Sequence, residues 1–392
     1  MYEILKLNAI SPVGLAKLPK EEFKVSDECA NPNGIILRSY DMHEMELPDS
    51  LLAIARAGAG TNNIPKDKCS EKGIVVFNTP GANANAVKEI VLAALLMSSR
   101  KLIDGIEWTK TLKDDPDCAA KVEKGKKAFV GPEIMGKTLG IIGLGATGTL
   151  IANAAIGLGM DVIGYDPFLN VDTAWNIDSH VHKASSVEEV VAASNYITMH
   201  VPLTDSTKNM FNADLFGLMK KDTRLLNFSR DGLVDMEALK DAIDNGTIAY
   251  YVTDLPTPEV LALDKTIAVP HLGASTPEAE ENCAAMAAKE LREFLKYGNI
   301  RNSVNYPNCE MPYTPGKARV SIMNKNIPNM IGSIAQVFAK EQLNIDNMIN
   351  KSKGDWAYTL IDLDTLDGKG DELLSELNAI EGVVKTRIVI EN

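Results

Sequence analysis

The fold of this chain is decided by one stretch, Gly140-Ile141-Ile142-Gly143-Leu144-Gly145-Ala146-Thr147-Gly148. It joins a predicted buried strand, Thr138–Ile142, to a predicted helix through the pattern G-x-G-x-x-G. Glycines at these positions let the backbone turn tightly and approach a pyrophosphate, which the unpaired N–H groups of the helix N-terminus stabilise. Because such turns also arise where a strand and a helix merely pack closely, the surrounding sequence has to decide between the two interpretations.

An aspartate stands where a dinucleotide site needs one. The next predicted strand, Val162–Tyr165, ends directly before Asp166, which follows Gly148 by 18 residues. A spacing of about 20 residues is usual for the carboxylate that binds the ribose hydroxyls. No Arg or Lys in the adjoining Pro167-Phe168-Leu169 could hold a 2′-phosphate, and the Asp166 carboxylate would repel one. The sequence therefore predicts NAD rather than NADP as the cofactor.

Strands and helices alternate on both sides of this turn, which predicts an α/β chain with a parallel sheet. Short apolar runs also predict strands at Gly34–Ser39 and Leu52–Arg56, and long Ala-rich segments predict helices at Ala86–Arg100 and Thr276–Leu295. The strands predicted between Lys137 and Val269 are Thr138–Ile142, Val162–Tyr165, Tyr196–His200, Arg224–Asn227, Ile248–Thr253 and Thr266–Val269.

The last 75 or so residues have a pattern of their own. The order strand, helix, strand, strand, helix, strand from Ala318 to Ile390 predicts a small ferredoxin-like βαββαβ unit. The preceding segment, Gly298–Gly316, is rich in Asn and Pro and is predicted to be a linker. The charged, poorly periodic segment Lys101–Lys127 is predicted to be an arm on the surface.

Composition narrows the possible functions. Forty basic against 53 acidic residues give a net charge of −13, which argues against nucleic acid and anionic membranes as partners. No apolar run approaches the roughly 20 residues that span a bilayer, and the opening residues lack the pattern of a secretory signal. Five scattered cysteines without a C-x-x-C pair indicate reduced thiols, hence a cytoplasmic protein. His180 and His182 lack a third ligand, so no metal is expected.

Three polar residues follow the ends of late strands, where open α/β sheets bind their ligands. Arg230 ends Asn227-Phe228-Ser229-Arg230, Glu259 lies beyond the strand Ile248–Thr253, and His271 follows Thr266–Val269. Hydride transfer from a hydroxy acid needs a base, a group that tunes the base, and a cation for the carboxylate. His, Glu and Arg can serve these roles, although each residue alone could be structural.

With these motifs the chain resembles the D-isomer-specific 2-hydroxyacid dehydrogenases. The resemblance is carried by Gly140–Gly145, by His200-Val201-Pro202-Leu203-Thr204, by Asn227–Arg230 and by Pro270-His271-Leu272-Gly273-Ala274-Ser275-Thr276. It implies a Rossmann-type NAD domain (98–274) inserted in a smaller flavodoxin-like α/β substrate domain (1–97 and 275–308). A linker (309–317) and a ferredoxin-like ACT regulatory domain (318–392) would follow.

The resemblance also implies roles for individual residues. The family's catalytic triad falls on Arg230, Glu259 and His271, although the loop between Glu259 and His271 is shorter than is common. The expected cofactor-binding residues are Gly143, Gly145, Ala146, Thr147, Gly148, Asp166, His200, Phe228, Ser229, Arg230, Asp254, His271, Leu272, Gly273 and Ala274. Arg56-Ala57-Gly58-Ala59-Gly60 resembles the loop whose N–H groups hold the substrate carboxylate.

Within the family, the chain is similar to members that oxidise D-3-phosphoglycerate to 3-phosphohydroxypyruvate at the start of serine synthesis. Arg38, Ser39 and Arg56 match positions near the substrate phosphate, and Lys121 either reaches that phosphate or lies on a solvated face. Two alternatives stay open: another D-2-hydroxy acid as the substrate, and a NAD-sensing binding protein of the same fold. The presence of Arg230, Glu259 and His271 argues against the second alternative.

The C-terminal unit is expected to bind an effector. In the resembling dehydrogenases it pairs with its symmetry mate and binds L-serine at the seam, which implies a homo-oligomer, either a dimer or a tetramer. The matching positions are Asn324, Asn326 and Asn344, whose amides suit an amino acid because each offers a donor and an acceptor. The alternative is a dimerisation module that binds no effector.

Overall fold

The computed structural model describes residues 1–391, which form two compact units. The first unit combines residues 1–83 with the residues from 280 onward, and the second unit is Ala84–Ala279. Among the described residues, no helix has both the length and the apolar character that crossing a bilayer requires.

The first unit begins with a five-stranded parallel sheet. Its elements are β1 (Tyr2–Leu7), α1 (Pro12–Leu15), β2 (Phe23–Ser26), β3 (Gly34–Leu37), β4 (Ala53–Arg56), α2 (Lys66–Glu71) and β5 (Val75–Phe77). The strand order is β2-β1-β3-β4-β5, the flavodoxin-like order. Strand β3 is buried along its whole length, as expected for an apolar strand covered on both faces of a parallel sheet.

The second unit contains a seven-stranded parallel sheet with helices between its strands. It starts with α3 (Ala84–Arg100), α4 (Leu102–Lys110), α5 (Cys118–Gly125) and a 3-10 turn (Lys126–Phe129). The sheet then follows as β6 (Thr138–Ile142), α6 (Ala146–Gly157), β7 (Asp161–Tyr165), α7 (Val171–Ala174), β8 (Val181–Lys183), α8 (Val187–Ala193), β9 (Tyr196–Met199), α9 (Ala213–Gly217), β10 (Thr223–Asn227), α10 (Met236–Asp244), β11 (Ile248–Thr253), α11 (Pro258–Leu261) and β12 (Thr266–Ala268).

The strand order of this sheet fixes where a ligand can bind. The order is β12-β11-β10-β9-β6-β7-β8, so the chain reverses direction across the sheet between β6 and β9. This is the Rossmann order, and the crevice at such a switch point is where open α/β sheets bind ligands. Helix α3 covers one face with the fully buried Val91, Ala94 and Leu95. The α/β class and the Rossmann-type sheet predicted from the sequence are confirmed.

The C-terminal part of the first unit is a βαββαβ fold, as predicted. After the long helix α12 (Pro277–Tyr297) come β13 (Ala318–Lys325), α13 (Met330–Lys340), β14 (Ile345–Lys353), β15 (Trp356–Leu363), α14 (Gly370–Asn378) and β16 (Val383–Ile390). The four strands form an antiparallel sheet in the order β14-β15-β13-β16, the ferredoxin-like arrangement. Both helices pack on one face through Ile334, Phe338, Leu373 and Leu377.

The segment predicted as a linker is packed against the rest of the first unit. Ile300 and Cys309 exchange two backbone hydrogen bonds of 2.9 Å, and Met311 is 1% exposed. The second face of the C-terminal sheet joins the N-terminal core, where Tyr358 packs with Phe294 and its hydroxyl donates to the carbonyl of Gly298 at 2.7 Å. The C-terminal fold is therefore fixed to the N-terminal sheet, and its separation as an independent domain stays a prediction.

Candidate functional site

The glycine turn after β6 leaves room for a group from outside the chain. Gly143 has a φ of +92°, and a Cβ there would lie 2.5 Å from the carbonyl oxygen of His200. A Cβ on Gly148 would lie 2.0 Å from the carbonyl oxygen of Gly143. Gly145 differs, because a Cβ on it would meet nothing within 4 Å and no side chain caps the helix that it begins. The first-turn N–H groups of α6 thus suit a pyrophosphate.

Asp166 connects this turn to the end of β7. Its Oδ2 accepts a hydrogen bond from Leu144 N at 2.9 Å, and its Oδ1 accepts one from Phe168 N at 2.9 Å. Each carboxylate oxygen has a further lone pair, so the side chain can still accept from a ribose hydroxyl. Asp166 therefore shapes the glycine turn in addition to offering the expected cofactor contact.

His200 lies on the other side of the switch point, directly after β9. Its backbone N–H donates to the carbonyl of Ile142 at 2.7 Å, and its Nε2 lies 2.9 Å from Thr198 Oγ1. Desolvation by burial lowers the pKa of His200 to about 3, so the ring is neutral at physiological pH. A neutral ring here adds no repulsive or attractive charge beside the turn.

A network of hydrogen bonds holds the turn that carries Arg230 at the end of β10. Asn227 Nδ2 donates to the carbonyl of Arg230 at 3.0 Å, and Asn227 Oδ1 accepts from Ser229 N at 3.1 Å. Ser229 Oγ donates to the carbonyl of Val201 at 2.7 Å. The guanidinium is exposed and gives one Nη1 hydrogen bond to the carbonyl of Ser229, which leaves donors for a carboxylate. Sequence reasoning named Arg230 and Ser229 but missed Asn227, whose only signal is its position at a strand end.

Asp254 ties the loop that carries His271 to the end of β11. Its side chain is 2% exposed, and Oδ2 accepts a hydrogen bond from Gly273 N at 2.7 Å. A Cβ on Gly273 would lie 2.8 Å from the same oxygen, so the close approach requires glycine. His271 itself is exposed, and its ring has no hydrogen-bond partner in the part of the chain that the structure describes. The ring is therefore accessible to a substrate proton.

Glu259 is not hydrogen-bonded to His271 among the described residues. It lies in the first turn of α11, where hydrogen bonds from its own backbone N–H and from the Thr257 side chain lower the pKa of its carboxyl. The strand order places Arg230, Asp254 and His271 after the adjacent strands β10, β11 and β12, at one edge of the sheet. The structure thus brings these three side chains to one edge and leaves the Glu259–His271 pairing as a prediction.

In the first unit, two arginines and a glycine loop lie at the ends of β3 and β4. Arg56 Nε donates to the carbonyl of Arg38 at 3.0 Å, and Arg38 Nη1 forms an ion pair of 2.6 Å with Glu280. The Arg56 guanidinium covers Gly58, which has a φ of +147°, and a Cβ there would lie 2.1 Å from Nη1. Ser39, next to Arg38, is exposed.

The loop Ala57–Ala59 is held in place by residues that follow β5. Asn78 Nδ2 donates to the carbonyl of Ala59 at 2.6 Å, and Thr79 N donates to the carbonyl of Gly58 at 3.2 Å. Asn78 and Thr79 were missed from the sequence, although their position directly after a strand and before Pro80-Gly81 marks a turn at a ligand-binding edge.

The remaining predicted site residues of the second unit are engaged in local contacts. Lys121 is in the exposed helix α5 and pairs with Asp115, which lowers the pKa of that carboxyl. No residue of α4 or α5 is buried, as expected for an arm on the surface. His180 Nδ1 lies 2.7 Å from Asp178, and within residues 1–391 no cluster of three His, Cys, Asp or Glu side chains could hold a metal ion.

The three asparagines of the expected effector site do not form one site within a chain. Asn324 and Asn326 lie at the end of β13, whereas Asn344 precedes β14, level with the start of β13, so the length of a strand, roughly 20 Å, separates them. Asn326 Nδ2 donates to the carbonyl of Gly354 at 3.0 Å, and Asn344 Nδ2 donates to Asp364 Oδ2 at 2.7 Å. Asn324 is 1% exposed, and its Oδ1 has no partner among the described residues.

Comparison with known proteins agrees with this architecture. Residues 92–273 match the family described as "D-isomer specific 2-hydroxyacid dehydrogenase, NAD binding domain". The chain is 34% identical over 273 residues to D-3-phosphoglycerate dehydrogenase of Methanocaldococcus jannaschii; the match covers 67% of this chain and about half (49%) of that relative. It is 29% identical over 387 residues to D-3-phosphoglycerate dehydrogenase of Escherichia coli, covering 95% of this chain and 90% of the relative.

A solved structure shares the fold. NAD+-bound 3-phosphoglycerate dehydrogenase of Entamoeba histolytica superposes with a TM-score of 0.57 at 24% identity, over 78% of this chain and 98% of that one. The glycine turn, Asp166 and the strand order that this chain shows are those expected of the NAD-binding domain that the family description names. The chain is also 30% identical over 374 residues to the "Putative D-3-phosphoglycerate dehydrogenase" of Schizosaccharomyces pombe, over 88% of this chain and 76% of that relative. The chain is a member of the D-isomer specific 2-hydroxyacid dehydrogenase family.

Proposed function

We propose that this chain oxidises D-3-phosphoglycerate to 3-phosphohydroxypyruvate with NAD, the first step of L-serine biosynthesis. The observation that carries the proposal is the edge of the Rossmann-type sheet, where Arg230, Asp254 and His271 follow neighbouring strands beside a glycine turn that suits a pyrophosphate. The names of the relatives support the choice of substrate. The enzyme class follows from the family: a NAD-dependent D-2-hydroxyacid dehydrogenase.

The cofactor is proposed to bind along the glycine turn. The N–H groups of Gly145–Gly148 would hold its pyrophosphate, and Asp166 would accept from its ribose hydroxyls. Asp254 and the loop Leu272–Ala274 would lie against its nicotinamide end, with His200, Phe228 and Ser229 completing the site. When bound, NAD supplies the acceptor for the hydride that leaves C2 of the substrate.

His271 is proposed to take the proton of the C2 hydroxyl. Its exposed ring has no partner among the described residues that would compete for that proton. General acid–base catalysis of this kind supplies typically about 10²- to 10⁴-fold in rate. Glu259 is the proposed partner that stabilises the imidazolium, since its carboxylate has acceptor sites left beyond the hydrogen bonds from its own N–H and from Thr257. Asp254 would position the His271 loop through Gly273.

The substrate is proposed to be held at both of its charged ends. Arg230 and the N–H groups of Ala57–Ala59 would bind the carboxylate, since a planar guanidinium can grip two oxygens at once. Arg38, Ser39 and Arg56 would bind the phosphate, and Lys121 would contribute if it leaves Asp115. Both arginines are already fixed by side-chain contacts, which reduces the entropy lost on binding.

Assembly, regulation and location are part of the same proposal. The family resemblance favours a cytoplasmic homo-oligomer in which L-serine binds where two C-terminal folds meet, using Asn324 and Asn326 of one chain and Asn344 of the other. The roughly 20 Å between these positions in a single chain fits a site built from two chains. Calorimetric titration with L-serine tests the effector site, and the absence of binding heat together with an unchanged rate of NADH formation would refute it.

The activity is tested on the purified protein with a panel of D-2-hydroxy acids, including D-lactate, D-glycerate and D-3-phosphoglycerate. The rate of NADH formation is followed by absorbance. We expect kcat/KM to be highest for D-3-phosphoglycerate. Preference for an unphosphorylated acid would replace the substrate but keep the chemistry. Binding of NAD without turnover of any member of the panel would favour a NAD-sensing protein.

A further inference from the structure

An open cleft of about 490 Å³ lies within the first unit, beside the proposed substrate loop but lined by none of the residues proposed to bind cofactor or substrate. One wall is the end of β14, with Lys351 and Lys353. The other wall is formed by Asn78 after β5 and by Asn302 and Asn308 of the segment that precedes β13. Pockets that bind small molecules commonly have volumes of roughly 300 to 1,000 Å³, so the size suits a small ligand.

The charge of the cleft is positive and is not compensated by the residues that line it. Lys351 and Lys353 are its charged lining residues, and no carboxylate among residues 1–391 lines it. Lys353 Nζ donates only to neutral acceptors, the carbonyls of Ser303 at 2.9 Å and Val304 at 3.2 Å. The side chain of Lys351, which lies in the β14–β15 ladder, has no ion pair or hydrogen bond in the described part of the chain. Desolvation by partial burial lowers the pKa of Lys353.

The remaining lining residues define the class of ligand further. Three asparagine amides provide donors and acceptors, Ser303 and Ser352 add hydroxyls, and Pro80 and Pro307 contribute apolar surface. No aromatic side chain lines the cleft, so there is no stacking surface for a nucleobase. Two cations among amides and hydroxyls suit a small anion that carries carboxylate or phosphate groups.

The cleft is connected to the proposed substrate loop by one residue. Asn78 lines the cleft, and its Nδ2 also donates to the carbonyl of Ala59 at 2.6 Å, while its N–H donates to the carbonyl of Asn302 at 3.4 Å. A ligand that contacts the Asn78 side chain therefore acts on a group that fixes the loop Ala57–Ala59. Allosteric coupling between two such sites is typically about 5- to 150-fold in affinity.

We propose that this cleft is a regulatory binding site for a small carboxylate- or phosphate-bearing anion, held by Lys351 and Lys353 and coupled to the substrate loop through Asn78. The site differs from the proposed L-serine positions, because neither Asn324, Asn326 nor Asn344 lines it. Its binding test does not depend on the proposed function.

Binding is tested by isothermal calorimetry with inorganic phosphate and with malonate, on wild type and on K351Q. Lys351 is exposed, so K351Q should fold, and the matched control is K68Q, an exposed lysine of the same unit outside the cleft. We expect saturable binding by wild type and K68Q, with about tenfold weaker binding by K351Q because one charge-assisted contact is lost. Equal affinity of K351Q and wild type, together with loss of binding in R56Q, would place the anion at the proposed substrate site and overturn the proposal. The absence of saturable binding by wild type would also overturn it.

Coupling is tested by hydrogen exchange of the amides of Ala57–Gly60, which needs no turnover. We expect malonate to change their exchange rates in wild type and K68Q, but not in K351Q at the same concentration. Unchanged exchange in wild type at saturating malonate would overturn the coupling to the substrate loop.

Discussion

Replacing Arg319 should weaken the packing of the C-terminal fold against the rest of the first unit and lower the stability of the protein. The side chains of Arg319 and Asp362 are 1% and 3% exposed, and their two hydrogen bonds measure 2.6 and 2.8 Å. The same guanidinium donates to the carbonyl of Tyr297, the last residue of α12, at 3.0 Å, and to two carbonyls of the following segment, those of Met311 at 3.0 Å and Pro312 at 2.7 Å. One side chain thus joins β13, β15 and the connecting segment.

The size of the effect follows from burial. R319M leaves the Asp362 carboxylate buried and unpaired, and breaking a buried ion pair in this way costs about 3 to 5 kcal/mol. Replacing both partners, as in R319M/D362L, removes the uncompensated charge, so the double variant should recover about 2 kcal/mol or more relative to R319M. K317M is the control on the same strand edge, since Lys317 pairs with the half-exposed Asp364 and exposed pairs contribute at most about 1 kcal/mol.

Urea unfolding followed by circular dichroism measures these differences as midpoints. We expect the order wild type and K317M highest, then R319M/D362L, then R319M. A loss of less than about 1 kcal/mol for R319M, or a double variant less stable than R319M, would refute the argument that Arg319 is a buried charge whose main role is to neutralise Asp362.

Further outcomes follow from single residues. Asp166→Ala combined with Phe168→Arg should relax the preference for NAD, because the carboxylate that repels a 2′-phosphate is gone; equal use of NADP by wild type would contradict this. Arg38→Gln and Arg56→Gln should each raise KM for D-3-phosphoglycerate about tenfold with a smaller change in kcat, and added salt should weaken binding to wild type; unchanged steady-state constants would argue against a phosphate site. Burial raises the pKa of Glu290 to about 8, so the neutral carboxyl belongs to the folded state. Because the folded state binds this proton more tightly than the unfolded chain, the protein loses stability as pH rises from the unfolded pKa near 4.5 to about 8. Thermal unfolding should show wild type losing about 3 to 5 kcal/mol relative to E290Q across this pH range, and parallel pH curves would refute the argument.

The Rossmann-type sheet could be predicted because its strands are short, apolar and buried on both faces. Strands β6 and β11 have the bounds that the sequence predicts, and the turn between β6 and α6 is recognisable from its glycines. Strands β1, β2, β5 and β8 were missed: β2, β5 and β8 have only three or four residues, and β1 buries only its two central residues, Ile4 and Leu5. Their assignment depends on pairing with distant segments, which a local pattern does not contain.

The packed segment between α12 and β13 shows a second limit. Asn and Pro in Gly298–Gly316 indicate an absence of regular structure, and the segment is indeed irregular. Composition does not reveal that Arg319 and Tyr358 donate to its carbonyls, because these contacts come from residues far along the chain or across a sheet.

Arg230, Asp254 and His271 of the candidate site could be predicted because each is an ionisable residue that follows the end of a predicted strand. The supporting hydrogen bonds of Asn227 and Asn78 were not, because an amide at a strand end has several structural uses. The local capping of Glu259 by Thr257 was also missed, although Thr257-Pro258-Glu259 is typical of a helix N-terminus.

The most direct test of the account is the initial rate of NADH formation from D-3-phosphoglycerate by wild type and by His271→Ala, each shown by calorimetry to bind NAD. We expect wild type to turn over this acid, and His271→Ala to lose about 10²- to 10⁴-fold in kcat with cofactor affinity unchanged, because only proton transfer is removed. A His271→Ala enzyme with near-normal kcat, or a wild type that binds NAD and leaves D-3-phosphoglycerate unoxidised, would contradict the account.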